Sequence, residues 1–417
     1  MSAKLIVPAL IATLLFFLCP SASAGFKYKV LHNFGNGTDG QVPSGPLVLD
    51  DSGDLYGVTT GGPGDYGNGT AFRLTQRKNG RWWESTLYVF TGGNGGCCPD
   101  GNLVRDSAGN LYGTMAGDSS AAISGVFDLT PGSDGWDFAV LYGREPVPGG
   151  TGPGLLMDGL GNLYGEMGPG QDKAGAIGEL SPGSSRWAYT QLYSFCNENS
   201  CPDGEIPPTP PILDGKGNMF GTTTWGGIYG GLCLAYYGND GCGVIYEMTP
   251  NGDGTWTYHV LHRFASSKND GQSPYGGLVM DATGNFYGTA ELGGPNGTGI
   301  VFKLAHASGR WQVTQLYSFP NCKIGCFPAG TPALDKAGNL YGTASGGLDD
   351  CGETCGVVFK LSPQKNGKWG YSVLHKFNGT DGAFPAYGVI LDDKGNLFGV
   401  TSQFGKYGFG TAFEITP

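Results

Sequence analysis

One phrase, Asp-x-x-Gly-Asn-Leu-Tyr-Gly, recurs with small variations seven times along the chain and constrains its fold more than any other feature. Its copies are 52 to 67 residues apart. The glycine in the middle of the phrase occupies seven positions, which are Gly53, Gly109, Gly161, Gly217, Gly284, Gly338 and Gly395. A repeat of this length indicates a propeller, a solenoid or a similar array of supersecondary units.

Each repeat unit predicts four short β-strands. The first is apolar and ends at the aspartate of the phrase, as in residues 277–280. The Asp-x-x-Gly-Asn stretch predicts a tight turn, because Asp bonds to its own backbone and Gly and Asn tolerate left-handed dihedrals. The third strand alternates, as in residues 299–304, and the fourth runs from a tryptophan to a Leu-Tyr-x-Phe or Leu-His-x-Phe phrase. Seven such units predict an all-β propeller.

The two ends of the chain complement each other. The last unit stops at its third strand, residues 410–415, while residues 26–34 form an isolated fourth strand in which Phe26 replaces the usual tryptophan. We expect this N-terminal strand to complete the last blade and remove a free sheet edge. The prediction is one seven-bladed β-propeller domain over residues 25–417, with four antiparallel strands per blade. A solenoid or two smaller propellers are the alternatives.

Residues 1–24 have the pattern of a secretory signal peptide. Lys4 precedes an apolar run over residues 5–18, and Ala22-Ser23-Ala24 forms a small-residue cleavage site. The apolar run is too short to span a membrane comfortably. Cys19 raises the alternative of a lipoprotein, although the residues before it are bulky. We expect a secreted or cell-envelope protein with no membrane span in the mature chain.

The composition argues against a disordered chain and against a nucleic-acid-binding protein. The 78 glycines and 26 prolines approach the content of disordered chains. Aromatic residues make up 12% of the chain, however, and recur on a fixed period, so the glycines indicate many turns. Charged residues are only 14%, and the net charge is −11, which argues against nucleic acid as a partner.

The recurring phrases resemble a known repeat. Asp-x-x-Gly-Asn-Leu-Tyr-Gly-Thr, Gly-x-Val-Phe-Lys-Leu and Trp…Leu-Tyr-Ser-Phe look like the GloVer tandem repeat of exported bacterial proteins, and the resemblance covers nearly all of the mature chain. It implies export but no particular activity. The Asp-x-x-Gly-Asn turn is more loosely similar to that of NHL-type, virginiamycin B lyase-type and gluconolactonase-type propellers, which implies the fold alone.

Ten cysteines remain after the signal segment, and an even number in an exported chain predicts disulfides. Sequence neighbours pair naturally, which leaves the adjacent Cys97 and Cys98 to each other, to cross-loop partners or as free thiols. A zinc site is the alternative, but the spacing is poor and no histidine is near. The predicted pairs are Cys97–Cys98, Cys196–Cys201, Cys233–Cys242, Cys322–Cys326 and Cys351–Cys355.

All five pairs fall in connections that a propeller places on one face, opposite the Asp-x-x-Gly-Asn turns. Stiffened loops of variable length on a regular scaffold are where binding sites usually lie. The aromatic residues of these loops suit stacking on sugars or extended polymers, or else they cover the rim of the core. The candidates for ligand binding are Tyr66, Trp225, Tyr229, Tyr236, Tyr237, Phe404 and Tyr407, with Tyr275, Phe327 and Tyr387 in similar loops.

Two sets of aspartates carry different predictions. Asp39, Asp203, Asp270 and Asp381 each precede a glycine and lie four residues before an aligned proline. If they converge at the mouth of the channel they would hold Ca²⁺, and otherwise they simply form turns. The seven aspartates of the repeated phrase are predicted to be structural, since identical turns contain them all; they are Asp50, Asp106, Asp158, Asp214, Asp281, Asp335 and Asp392.

These features predict a non-catalytic binding or interaction module that requires no cofactor. Its ligand, a polysaccharide or a surface protein, would lie on the cysteine-rich face. The alternative is a propeller lyase or lactonase with a divalent metal at the top of the central channel, which requires polar residues that break the repeat symmetry there. A purely structural envelope protein is the third possibility. The third blade deviates most, with Thr151 in place of the aligned proline and Gly178 in place of the aligned aromatic.

Overall fold

The computed structural model describes residues 25–63, 67–116, 124–144, 154–168, 174–198, 200–230, 233, 241–346 and 355–417. Seven antiparallel sheets follow one another along the chain, each built from four strands. The helices of the described residues are two single turns of 3-10 helix, Gly93–Gly95 and Cys322–Ile324. The fold is the predicted all-β, seven-bladed propeller.

The strands of each blade are given from the centre of the ring outward. Those of the first four blades are Gln41–Pro43 with Val48–Leu49, Leu55–Gly61, Thr70–Gln76 and Trp82–Val89; Pro99–Arg105, Leu111–Met115, Ser124–Pro131 and Trp136–Arg144; Leu156–Met157, Leu163–Gly168, Ala176–Ser181 and Ala188–Ser194; and Ile212–Leu213, Met219–Thr223, Val244–Pro250 and Trp256–Arg263. Those of the last three are Val279–Met280, Phe286–Ala290, Ile300–Ala307 and Arg310–Ser318; Pro328–Leu334, Leu340–Ala344, Val357–Pro363 and Trp369–Lys376; and Val389–Leu391, Leu397–Thr401, Thr411–Thr416 and Lys27–Asn33. A two-stranded ribbon, Gly271–Gln272 with Leu292–Gly293, lies beside the fifth blade.

The N-terminal strand closes the ring. Lys27–Asn33 pairs antiparallel with Thr411–Thr416 and becomes the outermost strand of the seventh blade. The expectation drawn from the two half-repeats is therefore confirmed. Since a strand from one end of the chain completes a sheet from the other, the third strand of the seventh blade is paired on both sides, as in the other blades.

The repeated phrase forms the same turn in every blade. In the fifth blade Asp281 accepts hydrogen bonds from the backbone N–H groups of Thr283 and Asn285 at 2.9 and 3.0 Å. Its second carboxylate oxygen accepts from the Asn285 amide at 2.8 Å and from the Tyr287 hydroxyl at 2.9 Å. These turns define one side of the ring, which we call the turn face. The opposite side, which holds the connections between blades and the loops between second and third strands, is the loop face.

A β-bulge occurs at the leucine of the Leu-Tyr-x-Phe and Leu-His-x-Phe phrases. In all seven blades the pairing of the third and fourth strands shifts by one residue at this leucine. A bulge bends the strand and increases its twist. The phenylalanine three residues later, where the blade has one, is thereby turned toward the next blade.

That phenylalanine is the main apolar contact between consecutive blades. Phe34, at the end of the strand that completes the seventh blade, packs against Phe72 of the first blade with ring centroids 4.9 Å apart. Five other junctions repeat this contact at 5.2 to 5.5 Å; the pairs are Phe90–Phe127, Phe195–Tyr246, Phe264–Phe302, Phe319–Phe359 and Phe377–Phe413. The six phenylalanines contributed by the fourth strands are fully buried.

The junction between the second and third blades lacks both partners. The second blade has Arg144 where the phenylalanine is expected, and the third has Gly178 in place of the aromatic. The Tyr189 ring occupies the space above Gly178, where an added Cβ would lie 2.5 Å from it, and it stacks on Tyr142 at 4.4 Å. Gly178 and Arg144 are therefore the two sides of a single junction contact that this chain has replaced. Thr151 lies outside the described residues.

At the centre of the ring the blades meet backbone to backbone. A Cβ on Gly45 would lie 2.2 Å from the carbonyl oxygen of Gly101, and one on Gly330 would lie 2.3 Å from the Gly388 nitrogen. Both Gly45 and Gly330 have positive φ, so glycine is required there for conformation as well as for space. Within the described residues, no helix is long and apolar enough to cross a membrane.

Replacement of Phe34 by alanine should destabilise the ring at its point of closure. We expect a loss of about 3–5 kcal/mol, because a buried ring is removed and a cavity is left between the first and last blades. Urea unfolding followed by tryptophan fluorescence measures the loss. Lys27→Ala, at an exposed position of the same strand, should change stability by less than about 0.5 kcal/mol; equal effects of the two substitutions would contradict the contact.

The aspartate turns should make stability depend on pH in the acid range. Burial raises the pKa of Asp281, but hydrogen bonds from Asn285, Thr283 and Tyr287 outweigh it, and the net pKa is lowered. The stabilisation is therefore complete above the pKa of an unfolded aspartate, about 3.9, and is lost as the pH falls below it. Asp281→Ala should cost about 1 kcal/mol at pH 7 in urea unfolding.

The same measurement at lower pH provides the check. The difference between Asp281→Ala and wild type should stay constant from pH 5 to 8 and narrow below about pH 4. Asp393→Ala, which removes an exposed aspartate from the equivalent turn of the seventh blade, is the matched control and should show no such dependence. A difference that widens in acid would refute this role of Asp281.

Candidate functional site

The four aspartates predicted to hold calcium lie at separate blade junctions. Asp39 accepts hydrogen bonds from the backbone N–H groups of Gly35 and Asn36 and lies 2.6 Å from Nε2 of His32. Asp270 contacts His262 at 3.0 Å and accepts from the backbone and hydroxyl of Ser266. Each carboxylate thus closes its own turn on the loop face.

The other two aspartates follow the same pattern. Asp381 lies 2.9 Å from Nε2 of His375, and Asp203 accepts from the Tyr193 hydroxyl at 2.7 Å. The histidines and the tyrosine belong to the Leu-His-x-Phe and Leu-Tyr-x-Phe phrases. Hydrogen bonds from Ser266 and His262 lower the pKa of Asp270 in spite of its burial. These pairs anchor the connection between blades, and the structure does not gather the four carboxylates at the channel mouth.

Calcium binding by these four aspartates therefore stays a prediction, and the structure does not bring them together as a set of ligands. Across the described ranges, no group of three or more His, Cys, Asp or Glu side chains is arranged to hold a metal ion. The physical reason is that the Asp-Gly turn crosses over the second and third strands of the next blade. Gly40, for example, lies against the Thr59 and Thr70 hydroxyls rather than against the channel.

The cysteines pair locally, on the loop face. Disulfides join Cys97 to Cys98, Cys196 to Cys201, Cys233 to Cys242 and Cys322 to Cys326. Cys355 is also disulfide-bonded, whereas Cys351 lies outside the described residues. Each pair sits in a connection between blades or in a loop before a third strand, so covalent links stiffen this face.

The loop-face aromatics divide into half-buried and exposed groups. Trp225 and Tyr229, in the fourth blade, are half-buried, and the Trp225 backbone exchanges hydrogen bonds with Glu205. Phe404 and Tyr407, in the seventh blade, are each 41% exposed, and their neighbour Phe409 is 37% exposed. The remaining candidates Tyr66, Tyr236 and Tyr237 lie outside the described residues. We call Phe404, Tyr407 and Phe409 the aromatic platform.

The centre of the ring contains a cavity of about 560 Å³. Residues from the innermost strands of all seven blades line it, so it is the central channel of the propeller. Most of the wall is aliphatic or proline. Near the loop face, however, the wall includes Asp100, Tyr275 and Tyr387.

These three residues break the sevenfold symmetry of the wall. Asp100 and Tyr275 lie six residues before the aspartate of the repeated phrase, where the other blades have Ser44, Gly152, Pro208, Ala329 and Ala386. Burial raises the pKa of the Asp100 carboxyl, which accepts a hydrogen bond from the Gly101 N–H at 2.9 Å. Burial, with Asp100 and Tyr275 nearby, raises the pKa of Tyr387. The mouth thus combines one carboxylate with two tyrosine rings.

Sequence reasoning identified Tyr275 and Tyr387 as loop-face aromatics but missed Asp100 and Phe409. Alignment of the repeats relative to the aspartate of the phrase gives the missing signal for Asp100, since it is the one acidic residue in that column. Phe409 gave no such signal, because its exposure depends on the path of the loop.

Asp270→Ala distinguishes the junction role from a calcium role. The loss of its hydrogen bonds should lower the free energy of unfolding by about 2–3 kcal/mol. We expect the same loss with 1 mM CaCl₂ (roughly physiological for extracellular sites) and with EDTA, measured by urea unfolding. If calcium stabilised the wild-type protein but not the Asp270→Ala variant, the result would support the calcium site instead.

Comparisons with known structures agree with the fold. The ulvan lyase of polysaccharide lyase family PL25, bound to -[GlcA(1-4)Rha3S]-, superposes with a TM-score of 0.52 at 9% identity and covers 91% of this chain and 95% of its own. PorZ, a surface component of the type-IX secretion system of Porphyromonas gingivalis, gives 0.50 at 14% identity over 92% of this chain and 47% of its own. A chain of the mitotic checkpoint complex gives 0.51 at 10% identity over 99% and 97%.

Such low identities show similarity of fold only. No curated protein sequence matches the chain significantly. The model of the Gloeobacter/Verrucomicrobia repeat family, by contrast, matches residues 14–234 and 232–417 and so spans nearly all of the sequence. The chain belongs to the Gloeobacter/Verrucomicrobia repeat family.

Proposed function

We propose that the protein is an exported binding propeller that recognises a neutral polysaccharide on its loop face. The observation that carries this proposal is the aromatic platform. Three large rings within six residues of one loop are more than one-third exposed. Exposed apolar groups that cluster on one part of the surface are a feature of interaction sites.

The platform is held rigidly. The Phe404 N–H donates to the Gly408 carbonyl at 3.1 Å, and the Gly410 N–H donates back to the Phe404 carbonyl at 2.8 Å. The Lys406 N–H donates to the Asn33 side chain at 2.9 Å, which ties the loop to the strand that closes the ring. Rings that are already fixed lose little conformational entropy when a ligand binds.

The charges favour a neutral polymer. The chain has a net charge of −11, which repels acidic polysaccharides at a distance. Lys406 lies over the Tyr407 ring at 4.8 Å, so one cation is present beside the platform. Aromatic faces stack on the apolar faces of sugar rings without requiring charge, and this property suits an extended neutral chain.

The predicted signal segment, the disulfides and the family support the export that we propose. Disulfides persist in oxidising compartments outside the cytoplasm. The alternative of a lyase or lactonase with a divalent metal is less favoured, because hard divalent cations take several oxygen ligands. Among the described residues that line the cavity, Asp100 supplies the one carboxylate. The bound saccharide of the ulvan lyase concerns that protein, and our proposal rests on the rings instead.

Loss of the platform should weaken polysaccharide binding. We expect the double variant Phe404→Ala/Tyr407→Ala to weaken binding by at least about tenfold, since each stacked ring contributes about 1 kcal/mol or more. The measurement is affinity electrophoresis of the oxidised mature chain in gels that contain laminarin, xylan, arabinan or galactomannan, with alginate as the acidic comparison.

Two single variants sharpen this experiment. Trp83→Ala removes an exposed aromatic from an outer strand and should leave migration unchanged. Trp225→Ala should have a smaller effect than the platform variant, because Trp225 is half-buried at a junction. Retardation by none of the neutral gels would reject the proposal and favour a surface protein as the ligand.

A further inference from the structure

The central cavity has the size and composition of a small-molecule site. Its volume of about 560 Å³ lies within the usual range of such sites, roughly 300–1,000 Å³. Below the mouth the wall is mainly apolar: prolines and half-buried aliphatic residues such as Val48, Leu156 and Ile212 outnumber the polar residues of the lining, which are Asn102, Thr209 and Thr331. A wall of this kind favours an apolar group over water.

The mouth presents a carboxylate without a cation. Within the described part of the chain, no lysine or arginine pairs with Asp100, whose hydrogen bond comes from the Gly101 N–H. A carboxylate that is partly removed from water without a counter-charge lowers the stability of the fold. A positively charged ligand would reverse that penalty.

Two tyrosines frame the carboxylate. Asp100, Tyr275 and Tyr387 all line the cavity, and the first two contribute to the raised pKa of Tyr387. The raised pKa of Tyr387 keeps its phenol neutral. The faces of tyrosine rings attract organic cations, and aromatic residues beside a carboxylate are suited to an ammonium group.

The scaffold fixes Asp100 in place. Two residues earlier, Cys98 donates its N–H to the Asn68 carbonyl at 2.7 Å, and its own carbonyl accepts from Ala116 at 3.1 Å. The Thr114 hydroxyl donates to the Asp100 carbonyl at 2.6 Å. The adjacent Cys97–Cys98 disulfide stiffens the approach to the strand. The carboxylate is therefore preorganised on an inner strand rather than on a mobile loop.

From these observations we propose that the cavity binds an organic cation with an apolar tail. The ammonium head lies at Asp100 between Tyr275 and Tyr387, and the tail enters the aliphatic channel. The acidic net charge of the chain further attracts cations. This site is separate from the aromatic platform, and its occupation does not depend on polysaccharide binding.

Isothermal titration calorimetry with the oxidised mature chain tests the proposal. The probes are octyltrimethylammonium, octanoate and octanol, which share a tail and differ in charge, together with butyltrimethylammonium and tetramethylammonium. We expect octyltrimethylammonium to bind at least about tenfold more tightly than octanoate or octanol. Affinity should rise with the tail, by up to about fourfold per methylene.

Variants test how the cationic head group is recognised. Asp100→Asn keeps an oxygen for the Gly101 N–H but removes the charge, and it should weaken binding of octyltrimethylammonium by at least about tenfold. Tyr275→Ala should weaken it about threefold to tenfold. Asp393→Asn, which removes one exposed charge on the turn face, should leave affinity unchanged and thus control for net charge.

The outcomes that overturn the proposal are equally specific. Octanoate binding as tightly as the ammonium would show that charge is not recognised. Tetramethylammonium binding as tightly as the octyl compound would show that the channel does not take the tail. Full affinity in a folded Asp100→Asn variant, with a thermal midpoint like that of wild type, would remove Asp100 from the site.

Discussion

The structure depends on the contact between the phenylalanine that ends one blade and the aromatic residue in the third strand of the next. A single blade is a small sheet whose two faces are both apolar in part, so it cannot bury them alone. The contact is repeated at six of the seven junctions, with ring centroids 4.9 to 5.5 Å apart. The β-bulge at the preceding leucine makes it possible, because it turns the end of the strand toward its neighbour.

The β-bulge also positions a polar contact at the same blade junction. The histidine or tyrosine next to the bulged leucine meets the aspartate of the Asp-Gly turn, as His32 meets Asp39. In sequence these appeared to be unrelated features, one a substitution in a strand and the other a candidate calcium ligand. They form one hydrogen-bonded pair because the connection to the next blade folds back over the end of the fourth strand within a few residues.

The fold was predictable because the same repeat unit occurs seven times in the sequence. The repeated turn and the strand periodicity indicated blades, and the half-repeats at the two ends indicated how the ring closes. The cavity mouth was not predictable in the same way. Alternation along the innermost strand tells which side chains point inward only while the pairing is regular, and the register shifts between Asp100 and Val104. A second shift between Ala329 and Ala333 shows that this irregularity recurs. Hence periodicity alone could not assign Asp100 to the channel.

The distribution of variation around the ring points to where function resides. Positions that pack blades together repeat nearly unchanged, since each junction requires the same shape. Six residues before the repeated aspartate, by contrast, the seven blades carry Ser44, Asp100, Gly152, Pro208, Tyr275, Ala329 and Ala386. Small residues there show that packing does not require a large or charged group. A partly buried carboxylate beside two tyrosines therefore answers no need of the scaffold, and a cationic ligand in the channel, as we propose, would offset its energetic cost.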